Sequence, residues 1–497
     1  MIASPFDSFV SSLKPVGLYT ESEGGKAFSW LLWGDGVKFL PSAPMHGRRK
    51  VMARGKTGWV DEVVLGGESL LEFYFIDVGQ GDGILIKTPD FRHILIDGGF
   101  PRAKQPTGKS AADFVDWKFV KDYGLDMVAL DALIASHNDQ DHYGGLADLL
   151  DLTQAHDLDA EHVTVEAAYH AGLSWWKTAS DNRTLGSFRK VSGHNYLVDL
   201  LGDRASAQAA LAADALPRLQ GAWGDFIQNL LDTRTHAGTP TPLERLSHAT
   251  DHVPGFDVGD VMIKVLAPVE YDVEGGPGLR SLGSKTSGQN TNGHSVMLRV
   301  DYGRTRTLLT GDLNKVAQQL LLEAYEGERL EFAADIAKAC HHGSDDVSMS
   351  FLQAISPSTT IISSGDAEGH DHPRPQIVAA SGATGHLSIE NDEIVTPLVY
   401  STEIARSYSI GKLTHIELDG GDTLAGNMLG KTKLHYEETK AGDLRPRKHH
   451  RRAAGTYLVA GLVYGLVNVR TDGQRIQTAT LNEADATWSV KNFKSRF

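Results

Sequence analysis

One short segment limits what this chain can be more than any other: His137-Asn-Asp139-Gln-Asp141-His142. It follows the apolar run from Met127 to Ala135, which is typical of a buried strand, and precedes a stretch with helical spacing. Two imidazoles and two carboxylates therefore lie close together on a strand-to-helix loop. Such a density of nitrogen and oxygen ligands favours a divalent metal site. A solvated polar loop is the alternative interpretation.

Three further segments stand at predicted strand ends and bear on that choice. They are Thr310-Gly-Asp312, His341-His342-Gly-Ser344 and Gly369-His370-Asp-His372-Pro. Each by itself is also compatible with an ordinary turn or a local cap. A bridging carboxylate and additional imidazoles are nevertheless what a two-metal centre requires, so together with the first segment they favour the metal site over the polar loop.

Six segments in order resemble the metallo-β-lactamase-fold domain of ComEC-type DNA-uptake proteins. These are FIDVGQGD at 75–82, LIDGG at 95–99, SHNDQDHYGG at 136–145, LLTGD at 308–312, HHGS at 341–344 and GHDHP at 369–373. The resemblance spans about residues 72–385, apart from an insertion. It implies an α/β fold, an αββα sandwich with the metal site at one edge of its two sheets, and a metal-dependent nuclease activity. The uptake proteins also carry a polytopic channel, which is not found in this sequence, so neither transport nor a membrane partner is predicted.

The resemblance also implies a ligand set. The positions matching the family's motifs are His137, Asp139, Asp141, His142, Asp312 and His341. Asp139 departs from the widespread metallo-β-lactamase pattern, which has histidine there. Either Asn292 or His294 is expected to complete the first metal site, and His294 is the preferred candidate.

The resulting hypothesis is hydrolysis of a phosphodiester in DNA, possibly single-stranded, or in RNA, by a hydroxide that two divalent ions, Zn²⁺ or Mn²⁺, activate. Asp141, His342 and His372 are the predicted catalytic residues, the histidines as donors to the phosphoryl oxygen or the leaving group. Asp77, Asp82 and Asp97 are expected to orient metal-bound imidazoles, or else simply to form turns. The candidate substrate-binding residues are His370, Arg445, Arg447 and Lys448.

The rest of the chain predicts attachments to this catalytic unit. Residues 1–68 favour a small β-barrel resembling the Src-homology-3 type, residues 69–385 the catalytic domain, and residues 386–497 a β-rich region. Within the catalytic domain, residues 151–255 are expected to form a largely helical insertion that covers or narrows the cleft. The pair Trp175-Trp176 is assigned to its core in preference to base stacking. The terminal β domains are candidate surfaces for a protein partner.

The cysteine content, the N-terminal segment and the net charge bear on the compartment and on the substrate. Cys340 is the only cysteine, so no intrachain disulfide forms, and the N-terminal segment lacks the pattern of a secretory signal. A cytoplasmic protein is therefore predicted. The net charge of −15 opposes a generally basic surface for nucleic acid, and leaves phosphate binding to metal ions and to the basic run 445–452. Two alternatives remain: a hydrolase of a small molecule such as a cyclic nucleotide, phospholipid or lactone, and a metal-binding scaffold without turnover.

Overall fold

The protein has a mixed α/β architecture, with many strands and few helices. A computed structural model describes residues 2–104, 110–151, 153, 158–283, 287–365, 372–402, 409–418, 420–438, 447–460, 465–482 and 487–497. Its helices are α1 (Ala111–Trp117), α2 (Gln140–Leu150), α3 (Arg204–Leu211), α4 (Gly221–Asp232), α5 (Ser287–Gly293), α6 (Lys315–Ala324), α7 (Met349–Ile355), α8 (Pro375–Thr384) and α9 (Asn427–Lys431). None of the helices in the described ranges is long and apolar enough to cross a membrane.

Two large sheets dominate the fold. The nine-stranded sheet contains, in spatial order, Leu243–Arg245, Ala168–His170, Ala132–Ala135, His93–Gly98, Gly83–Lys87, Leu71–Phe75, Val467–Thr471, Arg475–Asn482 and Thr487–Lys494. The six-stranded sheet contains Val261–Ala267, Met297–Tyr302, Thr305–Leu309, Ile336–Lys338, Thr359–Ile362 and Leu398–Ser401.

Alternating side chains place these sheets face to face, with helices outside them. Ile94 and Ile96 of the nine-stranded sheet share one apolar cluster with Ile263 of the six-stranded sheet. Leu95 points the other way, into a cluster that includes residues of α1, α2 and α4. On the far side of the six-stranded sheet, Leu308 packs with residues of α6 and α7. Because strand side chains alternate between faces, each strand serves both the central and an outer core.

The N-terminal residues form a separate seven-stranded antiparallel sheet with its own core, in which Val10, Leu18 and Val51 are buried. Its strands are Ser8–Val10, Val16–Tyr19, Ala27–Leu31, Gly36–Phe39, Arg48–Ala53, Lys56–Asp61 and Leu65–Gly67. The described strands do not close this sheet into a ring, because no pairing joins its two edge strands.

The smaller sheets belong to the insertion and to the C-terminal part. In the insertion and beside it lie Met127–Leu130, His162–Val165, Trp176–Lys177, Arg218–Leu219, Phe188–Val191, His194–Leu197, Glu270–Val273 and Gly276–Arg280. The C-terminal hairpins and strands are Ser388–Glu390, Glu393–Thr396, Ser409–Lys412, His415–Glu417, Thr423–Ala425, Lys433–Glu438, Arg447–Arg452 and Tyr457–Ala460.

The expectation of a largely helical insertion is wrong. Among the described residues between 151 and 255, α3 and α4 are the only α-helices, and two short strands, Ala168–His170 and Leu243–Arg245, pair in parallel within the nine-stranded sheet. The alanine- and leucine-rich stretch forms α3 and α4, whereas the segments on either side of it pair as strands because the neighbouring sheet offers them backbone partners. The C-terminal residues are β-rich, as predicted. Their last three strands extend the nine-stranded sheet through pairing of Val467–Thr471 with Leu71–Phe75.

Candidate metal centre

The site lies where parallel strands of both large sheets end. His93–Gly98 runs parallel to Ala132–Ala135, and Thr305–Leu309 runs parallel to Ile336–Lys338. Loops that carry the polar segments predicted from the sequence follow the carboxyl ends of these strands. Helix α2 begins at this edge and packs directly on the nine-stranded sheet. A Cβ on Gly145 would lie 2.0 Å from the carbonyl oxygen of Gly98, so glycine is required for that approach.

Four buried side chains converge at the centre of the site: Asp82, His142, Asp312 and His342. Their nearest ligand atoms all lie within 4.8 Å of one another. The Nε2 atoms of His142 and His342 are 3.2 Å apart, and they lie 3.3 Å and 3.0 Å from Asp312 Oδ2. Atoms bound at about 2.1 Å to a tetrahedral cation are separated by about 3.4 Å, so this buried group could hold a metal ion.

His142 is oriented from behind by Asp97. Asp97 Oδ2 lies 2.8 Å from His142 Nδ1, while Asp97 Oδ1 accepts a 2.7 Å hydrogen bond from the backbone N–H of Ser136. Asp97 adopts a φ of 57°, a left-handed conformation that is uncommon outside glycine. The carboxylate directs Nε2 of His142 into the cluster, which is the supporting role expected of Asp97 from the sequence.

Adjacent histidines differ in position because the backbone bends sharply between them. His341 and His342 have φ values of 49° and 53°, so the chain turns in the left-handed region at both residues. His342 is fully buried in the cluster, whereas His341 is partly exposed, with its Nε2 atom 3.8 Å from Asp312 Oδ2. The sequence had assigned His341 to the metal and His342 to the substrate. In the structure His342 is the more deeply buried of the two histidines, and both lie near the carboxylate of Asp312.

A second group of predicted ligands flanks the buried four. His137 Nε2 lies 3.8 Å from Asp139 Oδ2, and the His137 ring centroid is 4.0 Å from that of His142. Asp141 Oδ2 lies 3.7 Å from His342 Nε2. Asp139 also accepts a 2.8 Å hydrogen bond from the hydroxyl of Thr291. His137 is buried like the central four, whereas Asp139 and Asp141 are partly exposed and extend the site toward solvent.

The preference for His294 over Asn292 is not supported. His294 Nε2 lies 3.0 Å from the carbonyl oxygen of Arg280, in a buried position. Asn292 Nδ2 instead lies 3.2 Å from His341 Nε2, at the rim of the cluster. Asn292 lies in the last turn of α5 and His294 directly follows the helix, so the local chain direction decided which one faces the site.

Lysine 338 was missed by the sequence analysis. Its ammonium lies 2.5 Å from Asp82 Oδ2 and 3.6 Å from Asp312 Oδ1, and it donates to the carbonyl oxygen of Gly311. The side chain is 1% exposed. A lysine within the apolar strand Ile336–Lys338 was the available signal, because a buried charge requires a partner. Asp82, expected only as a support, thereby joins the centre of the site.

The electrostatics of the cluster follow from its burial and its charges. Burial lowers the pKa of His342, but Asp312 and Asp82 outweigh burial and raise that pKa to about 9. Burial raises the pKa of Asp82, yet Lys338 and the two histidines bring it down to about 2. Burial lowers the pKa of His137 far below its ordinary value, and neighbouring His142 adds to this effect. His137 is thus a neutral imidazole, the form that binds metal.

Asp139 behaves differently from the other carboxylates. Burial and the negative charge of Asp141 raise its pKa to about 6, against the hydrogen bond from Thr291. A carboxylate that resists ionisation beside another carboxylate is a place where a cation would be stabilised.

The remaining predicted residues fall in several places. The ring of His372 lies 5.8 Å from that of His341 and 6.5 Å from that of His342, beside the cluster. Asp77 is buried in the loop before Asp82. His370 and Arg445 lie outside the described residues. Arg447 and Lys448 are the first two residues of the hairpin strand Arg447–Arg452.

The insertion reaches the site through one tryptophan. Trp175 and Trp176 are both buried, in agreement with the prediction that they serve a core. Trp175 additionally donates a 3.0 Å hydrogen bond from Nε1 to the carbonyl oxygen of Asn138, which stands between His137 and Asp139. No sequence signal indicated this contact.

The chain is similar over part of its length to two known proteins. It is 23% identical to ComE operon protein 3 of Bacillus subtilis (strain 168) over 316 residues, which are 62% of this chain and 30% of that protein. It is 35% identical to competence protein ComA of Neisseria gonorrhoeae over 102 residues, or 20% of this chain and 14% of that protein. The chain thus spans less than a third of these relatives' length. No protein-family model matches it.

Proposed function

We propose that this protein is a metal-dependent phosphodiester hydrolase, and that its substrate is a polynucleotide. The observation that carries the proposal is the convergence of Asp82, His142, Asp312 and His342 in one buried group at the edge of two facing sheets. The resemblance to metallo-β-lactamase-fold domains implies a metal site at such an edge, and this supports the proposal. The similarity to competence proteins supports the same assignment.

The donor set fits divalent cations. His137 Nε2 and Asp312 Oδ1 are buried and have no hydrogen-bond partner among the described residues. A buried polar atom without a partner costs about 1–3 kcal/mol, and a bound cation removes that cost. We assign two Zn²⁺ or Mn²⁺ ions to the site, one held by the buried four together with Asp141 and one by His137 and Asp139 beside Asp312. Such ions supply Lewis acidity and lower the pKa of water toward neutrality.

The protein's own residues then have distinct tasks. Asp312 lies between the two groups and is the carboxylate able to face both. Asp97 fixes the ring of His142. The hydroxyl of Ser295 lies 3.3 Å from His137 Nδ1 and accepts a hydrogen bond from the backbone N–H of Asp312. His341 and His372 stand at the rim, where an imidazole can donate a hydrogen bond to a phosphoryl oxygen or protonate a leaving group.

The choice of substrate is open to a direct test. Protein loaded with Mn²⁺ or Zn²⁺ is incubated with single-stranded DNA, duplex DNA, RNA and bis(p-nitrophenyl) phosphate. We expect cleavage of at least one polynucleotide and loss of all activity in Asp312→Asn. Cleavage of the small ester without any polynucleotide would replace the nuclease with a small-molecule hydrolase, an alternative that the net charge of −15 favours. Metal binding without hydrolysis of any of these substrates would favour the third alternative, a metal-binding scaffold without turnover.

A further inference from the structure

An exposed arginine of the insertion, Arg183, lies over a tryptophan that contacts the metal-binding loop. The guanidinium carbon of Arg183 lies 3.9 Å from the ring centroid of Trp175, which is the stacking geometry of a cation on an aromatic face. Trp175 is in turn fixed by its hydrogen bond to the Asn138 carbonyl oxygen, in the loop that carries His137 and Asp139. Two contacts thus tie Arg183 to the metal-binding loop.

In the part of the chain that the structure describes, no carboxylate lies within 4.0 Å of the Arg183 guanidinium. The side-chain amide of Asn138, buried and without a hydrogen-bond partner among the described residues, adds an unsatisfied donor and acceptor at the same junction.

We propose that Arg183, held flat on Trp175, binds a phosphate of the polynucleotide next to the phosphate that is cleaved. The inference rests on the proposed function and gives the insertion a role in it. A guanidinium presents a rigid fork of donors that matches a phosphate, and stacking reduces the side-chain freedom lost on binding. In a chain of net charge −15, such a local cation is what allows a polyanion to approach the site. A small phosphodiester has no second phosphate to offer it.

The test compares Arg183→Gln with a matched variant of the same insertion. Arg189 is also exposed, but its guanidinium already lies 4.0 Å from Glu274, so Arg189→Gln is the control. Hydrolysis of a short single-stranded oligonucleotide and of bis(p-nitrophenyl) phosphate is measured with Mn²⁺-loaded protein. For Arg183→Gln we expect the oligonucleotide KM to rise about fivefold to tenfold with little change in kcat, as for one lost charge-assisted contact. Small-ester kinetics should remain at the wild-type level.

Binding without turnover separates this inference from the proposed function. Fluorescence anisotropy of a labelled oligonucleotide at several salt concentrations should give a shallower slope for Arg183→Gln, by about one phosphate contact. Arg183→Lys, which keeps the charge but loses the planar stack, should fall between wild type and Arg183→Gln. Equal KM and equal salt slopes for Arg183→Gln and Arg189→Gln would overturn the assignment of Arg183, even in an active nuclease. Absence of all hydrolysis by wild type would overturn the proposed function. The anisotropy measurements would then still show whether Arg183 binds a phosphate of the oligonucleotide.

Discussion

Lys338 Nζ lies 2.5 Å from Asp82 Oδ2, and both side chains are almost completely buried. This ion pair connects the six-stranded sheet, which carries Lys338, to the loop that follows Leu71–Phe75 in the nine-stranded sheet. It therefore joins the two halves of the site at its deepest point, where Asp312 is the second carboxylate within reach of the ammonium.

Removing the Lys338 charge should destabilise the metal-free protein strongly. Lys338→Met leaves Asp82 and Asp312 buried without their cation, and breaking a buried pair from one side costs about 3 kcal/mol. Urea unfolding measures the loss, and Mn²⁺ should restore part of it because a metal ion replaces the missing positive charge. Lys264, paired with Glu331 at 2.7 Å but partly exposed, provides the control: Lys264→Met should cost no more than about 1 kcal/mol. Similar losses for both variants would argue against a special role of Lys338.

Two buried histidines should differ in their effect on metal content. His342→Ala removes an imidazole from the buried four, so we expect it to lose about one metal equivalent. His294→Ala removes a histidine that faces the carbonyl oxygen of Arg280 instead, so its metal content should match wild type. Elemental analysis of both purified variants, with circular dichroism to verify folding, checks the prediction. Metal loss in His294→Ala alone would restore the ligand assignment made from the sequence.

Asp139 should influence which metal the protein prefers. A carboxylate in place of imidazole hardens that position, so Mn²⁺ should compete with Zn²⁺ better in wild type than in Asp139→His. Competition titrations measure the ratio of the two affinities, which we expect to shift toward Zn²⁺ in the variant. Asp232→His, at the exposed end of α4, places a histidine far from the cluster and should leave the ratio unchanged. The idea is wrong if both variants keep the wild-type preference.

Stability of the metal-free protein should fall between neutral and alkaline pH. Burial lowers the pKa of His342, but Asp312 and Asp82 raise it from the ordinary 6.5 to about 9. A histidine with a raised pKa stabilises the fold fully below its unfolded value, and this stabilisation is lost as pH rises through the folded value. Urea unfolding at pH 6.5 and pH 9.5 should therefore show a lower midpoint at pH 9.5. His342→Gln should flatten this dependence, and a wild-type midpoint that rises with pH would refute the assignment.

Much of the site was recognisable from the sequence, because its ligands come in short segments at strand ends. The spacing of His137 to His142 and the positions of Asp312 and His341-His342 were enough to predict a metal site on strand-to-helix loops, and the structure brings these residues together. The layering of facing sheets and outer helices was expected only from the family resemblance, because a strand such as His93–Gly98 is buried on both faces and its pattern does not show which cores it packs against.

Tertiary structure alone decided the rest. Whether His341 or His342 turns inward depends on two left-handed backbone angles, and whether Asn292 or His294 faces the site depends on the end of α5. Lys338 became part of the centre because two sheets place it opposite Asp82, a contact across 256 residues of chain that no local pattern encodes. The insertion joined the nine-stranded sheet through Ala168–His170 and Leu243–Arg245, because the edge of that sheet supplied backbone partners. Local periodicity determines which face of a strand is apolar, but pairing across distant segments determines which polar groups meet.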